Sequence, residues 1–223
     1  MTWVKICGIT NLEDAQVAVD AGADAVGFVF CEKSSRNIDP QVAREIAAGL
    51  PQKLERVGVF VNHPIEQVQN VVERAELTAV QFYSEPGSVS VEALMALKEN
   101  HSGLKLILAC PADKLSQGGL LISEDFRKML YALMFDSGRG ARPGGTGKRF
   151  DWNEARGMVQ LMSVTVPVIV AGGLNPLNVA EAIKLFQPYG VDVASGVEAK
   201  PGKKDPAKVY AFVRAARETE QTA

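Results

Sequence analysis

Apolar residues along this chain gather in short runs separated by stretches whose apolar positions recur every three or four residues. The runs are WVKIC (3–7), AVGFVF (25–30), RVGVFV (56–61), AVQF (79–82), KLILA (105–109), YALMFD (131–136), VIVA (168–171) and VDVA (191–194). Their length and β-branched content predict strands. The stretches between them read as helices with marked starts. Asp39-Pro40, Asn175-Pro176 and Asp205-Pro206 each set a capping side chain before a proline at the first helical position. Asn11 with Asp14 resembles a capping box, and Gly22 suits the end of that helix. In the third helix Ile65, Val68, Val71, Val72 and Ala75 form one face and leave Glu66, Gln69 and Glu73 outward. The fifth and sixth helices carry the weakest pattern. Eight strand–helix units without a linker predict one domain over residues 1–223, a (β/α)8 TIM barrel rather than an open doubly wound sheet.

Composition narrows the partners. The 223 residues are 47% hydrophobic, enough for a large core, and 24 basic against 26 acidic residues leave a net charge of -2. That balance offers no field for a nucleic-acid backbone or an anionic membrane, so a small-molecule partner is expected. No apolar run reaches the roughly 18 residues of a membrane span and no cleavable leader is read. Three cysteines complete no set of internal disulfides, which fits a reducing cytoplasm. Cys31 and Cys110 also lie near strand ends, but with only His63 and His101 in the chain and no tight ligand spacing, no metal site is expected.

The chemistry of a barrel belongs at the carboxyl ends of its strands. There stand Cys7, the loop bearing Arg36, Asp136, Gly172-Gly173 and Ser195-Gly196. Lys5 and Cys7, two apart on the first strand, share a face and so an environment. The two small-residue pairs follow strands seven and eight, where backbone N–H groups can approach a phosphate; as plain turns they carry no such role. The segment SGRGARPGGTGKRFDW (137–152) fails the Walker pattern, with Arg142 and Arg149 where Gly and Ser or Thr belong. It fails the dinucleotide pattern too, at Pro143. Its glycines and Arg139, Arg142, Lys148 and Arg149 suggest a lid over an anionic substrate.

KICGIT (5–10), GADAVGFVF (22–30) with SSRNI (34–38), VGVFVN (57–62), FDS (135–137) with GGTGKRFDW (144–152), AGGLNPLNV (171–179) and VDVASGVEAKPGKKD (191–205) together resemble the phosphoribosylanthranilate isomerases of tryptophan biosynthesis. The resemblance runs nearly end to end. It implies an Amadori rearrangement of N-(5-phosphoribosyl)anthranilate to 1-(2-carboxyphenylamino)-1-deoxyribulose 5-phosphate, without metal or organic cofactor. It implies Cys7 as general base, Asp136 as general acid, and Arg36 as the holder of the anthranilate carboxylate. It also implies a phosphosugar substrate for the glycine loops and a monomer or homodimer.

On these roles Lys5 supplies positive charge that lowers the thiol pKa. Lys5 and Asp192, on neighbouring strands of a closed barrel, either pair with each other or touch substrate directly. The motif departs at VQFYS (80–84): the family usually has histidine and glycine after VQL, and Tyr83 and Ser84 stand there. Tyr83 either stacks on the anthranilate ring with its hydroxyl in solvent, so that Tyr83→Ala raises KM and spares kcat, or merely caps the barrel rim. The rival readings are another phosphosugar barrel isomerase and a silent phosphosugar-binding module. Both the acid and the base being present argues against the second.

Overall fold

In the computed structural model, which describes residues 1–83, 90–112, 123–137 and 151–219, each strand-like run takes its place in one parallel sheet. The strands β1 (Trp3–Cys7), β2 (Ala25–Phe30), β3 (Glu55–Val61), β4 (Ala79–Tyr83), β5 (Lys105–Pro111), β6 (Ala132–Asp136), β7 (Val168–Val170) and β8 (Gly190–Val193) pair in chain order, and β8 returns to β1. Helices follow them in turn: α1 (Leu12–Asp20), α2 (Pro40–Ala48), α3 (Ile65–Arg74), α4 (Val91–Asn100), α5 (Glu124–Met129), α6 (Trp152–Ser163), α7 (Val179–Phe186) and α8 (Pro206–Glu218). The expected (β/α)8 barrel is therefore what the chain forms. Among the described residues no helix is long and apolar enough to cross a membrane.

Alternation along each strand builds two cores. Val4, Ile6, Phe28, Phe60, Leu106 and Phe135 point outward into the layer shared with the helices. Trp3, Ala25, Val57, Ile107, Met134 and Ile169 fill the inside of the barrel. Cys110 belongs to the outer layer, so it faces away from the mouth despite its place near a strand end.

Helix starts follow side-chain chemistry. The Asn11 carboxamide accepts from the Asp14 N–H at 2.9 Å and donates to the Asp14 carboxylate at 3.0 Å, a reciprocal cap. Asp39 accepts from the Gln41 N–H and Asp205 from the Lys208 N–H. The start expected at Asn175-Pro176 is displaced. The Asn178 carboxamide accepts from the Asn175 N–H at 2.8 Å and donates to the Gly173 carbonyl at 3.0 Å. Those bonds keep 175–178 as a turn, and α7 begins only at Val179. α5 is a six-residue helix with no buried side chain, which explains its faint pattern.

The seam between β1 and β8 sets Lys5 opposite Asp192. The Lys5 ammonium donates to Asp192 Oδ1 at 2.6 Å, with the lysine side chain wholly buried. Of the two roles open for these residues, the structure therefore shows the ion pair. Past the barrel, β9 (Glu198–Lys200) and β10 (Lys203–Lys204) form a short antiparallel hairpin. Glu198 gathers Arg36 through two bonds of 2.7 Å and the buried Lys204 through one of 3.0 Å. Lys203 reaches Glu13 and Asp14 on α1.

Burial pushes the Glu198 carboxyl upward, but the bonds from Arg36 and the charge of Lys204 outweigh it and hold the group below its ordinary 4.5. A carboxyl depressed on folding stabilises the fold above its unfolded pKa and loses that contribution as pH falls through the folded one. Urea unfolding should show Glu198→Ala destabilised by about 3–5 kcal/mol at neutral pH, because the buried Lys204 and the partly buried Arg36 lose their shared partner. Glu198→Gln should lose less additional stability than wild type as pH is lowered below 4.5. Equal acid sensitivity in the two proteins would remove Glu198 from this role.

Candidate active site

The inward faces at the carboxyl end of the barrel converge on one cluster. Cys7 ends β1 one pleat above Lys5, Tyr83 ends β4, Asp136 ends β6, and Asp192 lies on β8. Cys7 is opposite Gly27 in register, and a Cβ there would lie 2.7 Å from the Cys7 sulfur and 3.2 Å from Lys5 Cε. Only a glycine leaves room for this thiol and ammonium side by side. Strand alternation turns these side chains inward, and the Tyr83 hydroxyl reaches Asp136 Oδ2 at 2.5 Å; burial first, and then the charges of Asp136, Asp192 and Cys7, push the phenol pKa up.

Lys5 stays charged. Burial opposes its charge, yet Asp192 and Cys7 together lift its pKa above 10.5. The thiol behaves otherwise than its neighbour alone suggests. Loss of water around Cys7 pushes its pKa up, Lys5 pulls it down, Asp192 pushes it up again, and the balance stands above the ordinary thiol value. The expected depression by Lys5 is present but outweighed, first by burial and then by the charge of Asp192.

Arg36 is placed by a tight loop. Its N–H donates to Ser34 Oγ at 3.1 Å, and the Asn37 carboxamide accepts from the Cys31 N–H at 2.9 Å. Its stem lies over Gly8, where a Cβ would meet Arg36 Cδ at 2.4 Å and where φ is +79°. The guanidinium then forks onto Glu198 through Nε and Nη2. Sequence reasoning missed Glu198 and Lys204 in this role. Both lie inside the VEAKPGKKD block, but alternating charges on a short hairpin give no sign of which face meets Arg36.

The two small-residue loops touch. A Cβ on Gly196 would sit 1.9 Å from the Leu174 carbonyl oxygen, and one on Gly172 would sit 2.3 Å from the Ser137 nitrogen. Gly172 and Gly173 both have positive φ, and Ser195–Val197 form a single 3-10 turn. Gly172, Gly173, Ser195 and Gly196 thus form one backbone-lined wall after β7 and β8.

Tyr83 departs from expectation. Its hydroxyl is not in solvent; it donates to Asp136 Oδ2 at 2.5 Å. Ser84 and the 138–150 portion of the expected lid, with Arg139, Arg142, Lys148 and Arg149, lie outside the described residues. No group of three or more metal-binding side chains occurs among the described residues.

Fold and site define a class: a (β/α)8-barrel enzyme with titratable side chains on its inward strand ends and adjoining glycine loops after β7 and β8. Residues 4–215 match the family model described as N-(5'-phosphoribosyl)anthranilate (PRA) isomerase. The chain belongs to that family. It is similar to the N-(5'-phosphoribosyl)anthranilate isomerase of Desulforudis audaxviator, 44% identical with 98% of this chain and 99% of the relative covered. Among solved structures it resembles phosphoribosyl anthranilate isomerase from Thermotoga maritima, TM-score 0.81 at 38% identity, covering 98% of this chain and all of that one. It also resembles a phosphoribosyl anthranilate isomerase solved in complex with reduced 1-(o-carboxyphenylamino)-1-deoxyribulose 5-phosphate, TM-score 0.78 at 36% identity over 98% of this chain and all of that one.

The thiol's charge balance is testable with iodoacetamide, following the Cys7 peptide by mass spectrometry across pH. Labelling should reach half its maximum above the ordinary thiol value of 9.0, since burial leads the shift. In Lys5→Met the midpoint should move further up, because the main opposing charge is gone. A midpoint that falls in Lys5→Met would contradict the arrangement.

Proposed function

We propose that this chain catalyses the Amadori rearrangement of N-(5-phosphoribosyl)anthranilate to 1-(2-carboxyphenylamino)-1-deoxyribulose 5-phosphate, the isomerase step of tryptophan biosynthesis. The observation that carries the reading is that Cys7 and Asp136 stand at the carboxyl ends of β1 and β6, turned inward by strand alternation, in a chain of this family. The substrate is a phosphorylated sugar bearing an aromatic acid, and the site has a feature for each end. Backbone N–H groups of Gly172, Gly173, Ser195 and Gly196 take the phosphate. Arg36, with Nε and Nη2 held by Glu198, keeps its Nη1 edge for the anthranilate carboxylate.

The chemistry is two proton transfers. Asp136 gives its proton to the ribose ring oxygen as the C1–O bond breaks, and the nitrogen lone pair forms the C1=N bond of a cationic Schiff base. Cys7 then removes the C2 proton, and the released electron pair neutralises that cation to give an enolamine, which tautomerises to the ketone. The transient positive charge favours the thiolate over the thiol. Cys7 acts as its thiolate, and burial, which raises the thiol pKa, makes that thiolate a stronger base towards the C2 proton. Lys5 and Asp192 hold the local charge without themselves transferring a proton.

The direct assay follows the fluorescence loss of freshly prepared phosphoribosylanthranilate with purified protein. Cys7→Ala should lower kcat by roughly 100-fold or more with KM little changed, since a positioned acid or base contributes that much. Asp136→Asn should nearly abolish turnover, and wild-type kcat should fall as rising pH takes from Asp136 the proton it must deliver. Near-native turnover in Cys7→Ala, or a tenth of activity left in Asp136→Asn, would remove that residue from its role.

A further inference from the structure

Tyr83 and Asp136 sit on strands that do not pair, since β5 lies between β4 and β6. Tyr83 is level with Ala109 of β5, and Asp136 is level with Pro111, one pleat nearer the mouth. Only a long side chain on β4 reaches the carboxylate across that gap, and the phenol does so, with its oxygen 2.5 Å from Asp136 Oδ2. Ser137 Oγ stands 3.5 Å from Oδ1 on the other side. The phenol is a fixed donor here: burial first, and then the charge of Asp136, keep its pKa well above the usual phenol value.

We propose that Tyr83 is a positioning residue of the isomerase reaction, its hydroxyl holding Asp136 Oδ2 so that the transferable proton is carried on Oδ1. This rests on the proposed function, in which Asp136 is the acid. A carboxyl oxygen that accepts a hydrogen bond from a phenol is the carbonyl-like oxygen of the acid, so the O–H bond is on its partner. When that bond breaks, its proton goes to the ribose ring oxygen and its electrons stay on the carboxyl. The phenol then donates to a carboxylate, a stronger bond than it made to the neutral acid. Tyr83 thus favours the state reached after the transfer and strengthens the acid. This is a different task from stacking on the substrate, and the usual family histidine is absent at this position.

Among the described residues, Cys7 from β1, Asp192 from β8 and Ser137 after β6 also face the pair, with Lys5 bonded to Asp192 beside them. β5 presents Pro111 at that level, which does not titrate. Lys5 and Asp192 balance each other across their 2.6 Å contact, and among the described residues it is Tyr83 that makes the short side-chain bond to Asp136.

The test is Tyr83→Phe, which keeps the ring and removes the hydroxyl. With phosphoribosylanthranilate as substrate, kcat should fall about 10-fold with KM within about two-fold, because the lost interaction strengthens in the transition state. The alkaline limb of the kcat profile should move up by about one pH unit, since a carboxylate without its donor holds its proton more tightly. Tyr83→His, which restores an N–H donor, should recover part of the lost kcat, and it serves as the second variant should the phenylalanine protein fail to fold. In an Asp136→Asn background, Tyr83→Phe should have no further effect. Unchanged kcat and pH profile in Tyr83→Phe, whether or not the melting temperature falls, would overturn the proposal by making Tyr83 a packing residue. A rise in KM alone would overturn it in favour of ring stacking. If Asp136→Asn stays active, the acid assignment fails and the proposal with it. If Asp136→Asn is inactive while Tyr83→Phe is unaltered, only the proposal for Tyr83 falls.

Discussion

An ammonium sealed from water stays charged only when a carboxylate faces it closely, and the barrel is built around one such pair. Lys5 and Asp192 meet at 2.6 Å across the seam where the first strand joins the last. Loss of hydration costs each ion several kcal/mol, so neither strand end tolerates the other being displaced. The same contact sets the field in the mouth. The thiol one pleat above feels burial more than it feels the cation, and Asp192 offsets part of the cation's pull as well. Geometry at the seam and basicity at the site are one constraint.

The Arg36–Glu198 fork extends that logic to the rim. A free guanidinium is a flexible point of charge, whereas one clamped through Nε and Nη2 has a fixed plane. Glu198 is itself anchored by Lys204, whose ammonium also donates to the Ala194 carbonyl at 3.1 Å just before the 195–197 turn. The loop after β2 and the loop after β8 are therefore registered to each other before any ligand arrives. Such preorganisation lowers the ordering cost of binding.

Much of this was legible in sequence because strands buried on both faces read as continuous apolar runs. β1 and β2 have the residues expected of them, and β5 differs only by running on to Pro111. Cys7, Asp136 and Asp192 were findable as polar residues at or near the ends of such runs. The start of α7 was not, since it depends on Asn178 reaching back to Gly173, a bond that competes with the Asn-Pro signal. Tyr83 illustrates the deeper limit. Its place at a strand end was plain, but its contact with Asp136 joins strands two places apart. That depends on the stagger of three strands, which no periodicity encodes.

The lysine at the seam also has a history within each molecule. Its partner lies 187 residues further along the chain, so β1 leaves the ribosome long before the strand that will close on it. Throughout synthesis β1 is an edge, with one row of backbone groups unpaired and open to strands of other nascent chains. An inward-pointing charge in the middle of that edge opposes such pairing, because any chain docking there must strip water from an ammonium without offering a carboxylate. Only β8 brings one. The charge that disfavours an intruding strand is thus the one that Asp192 satisfies when the barrel closes.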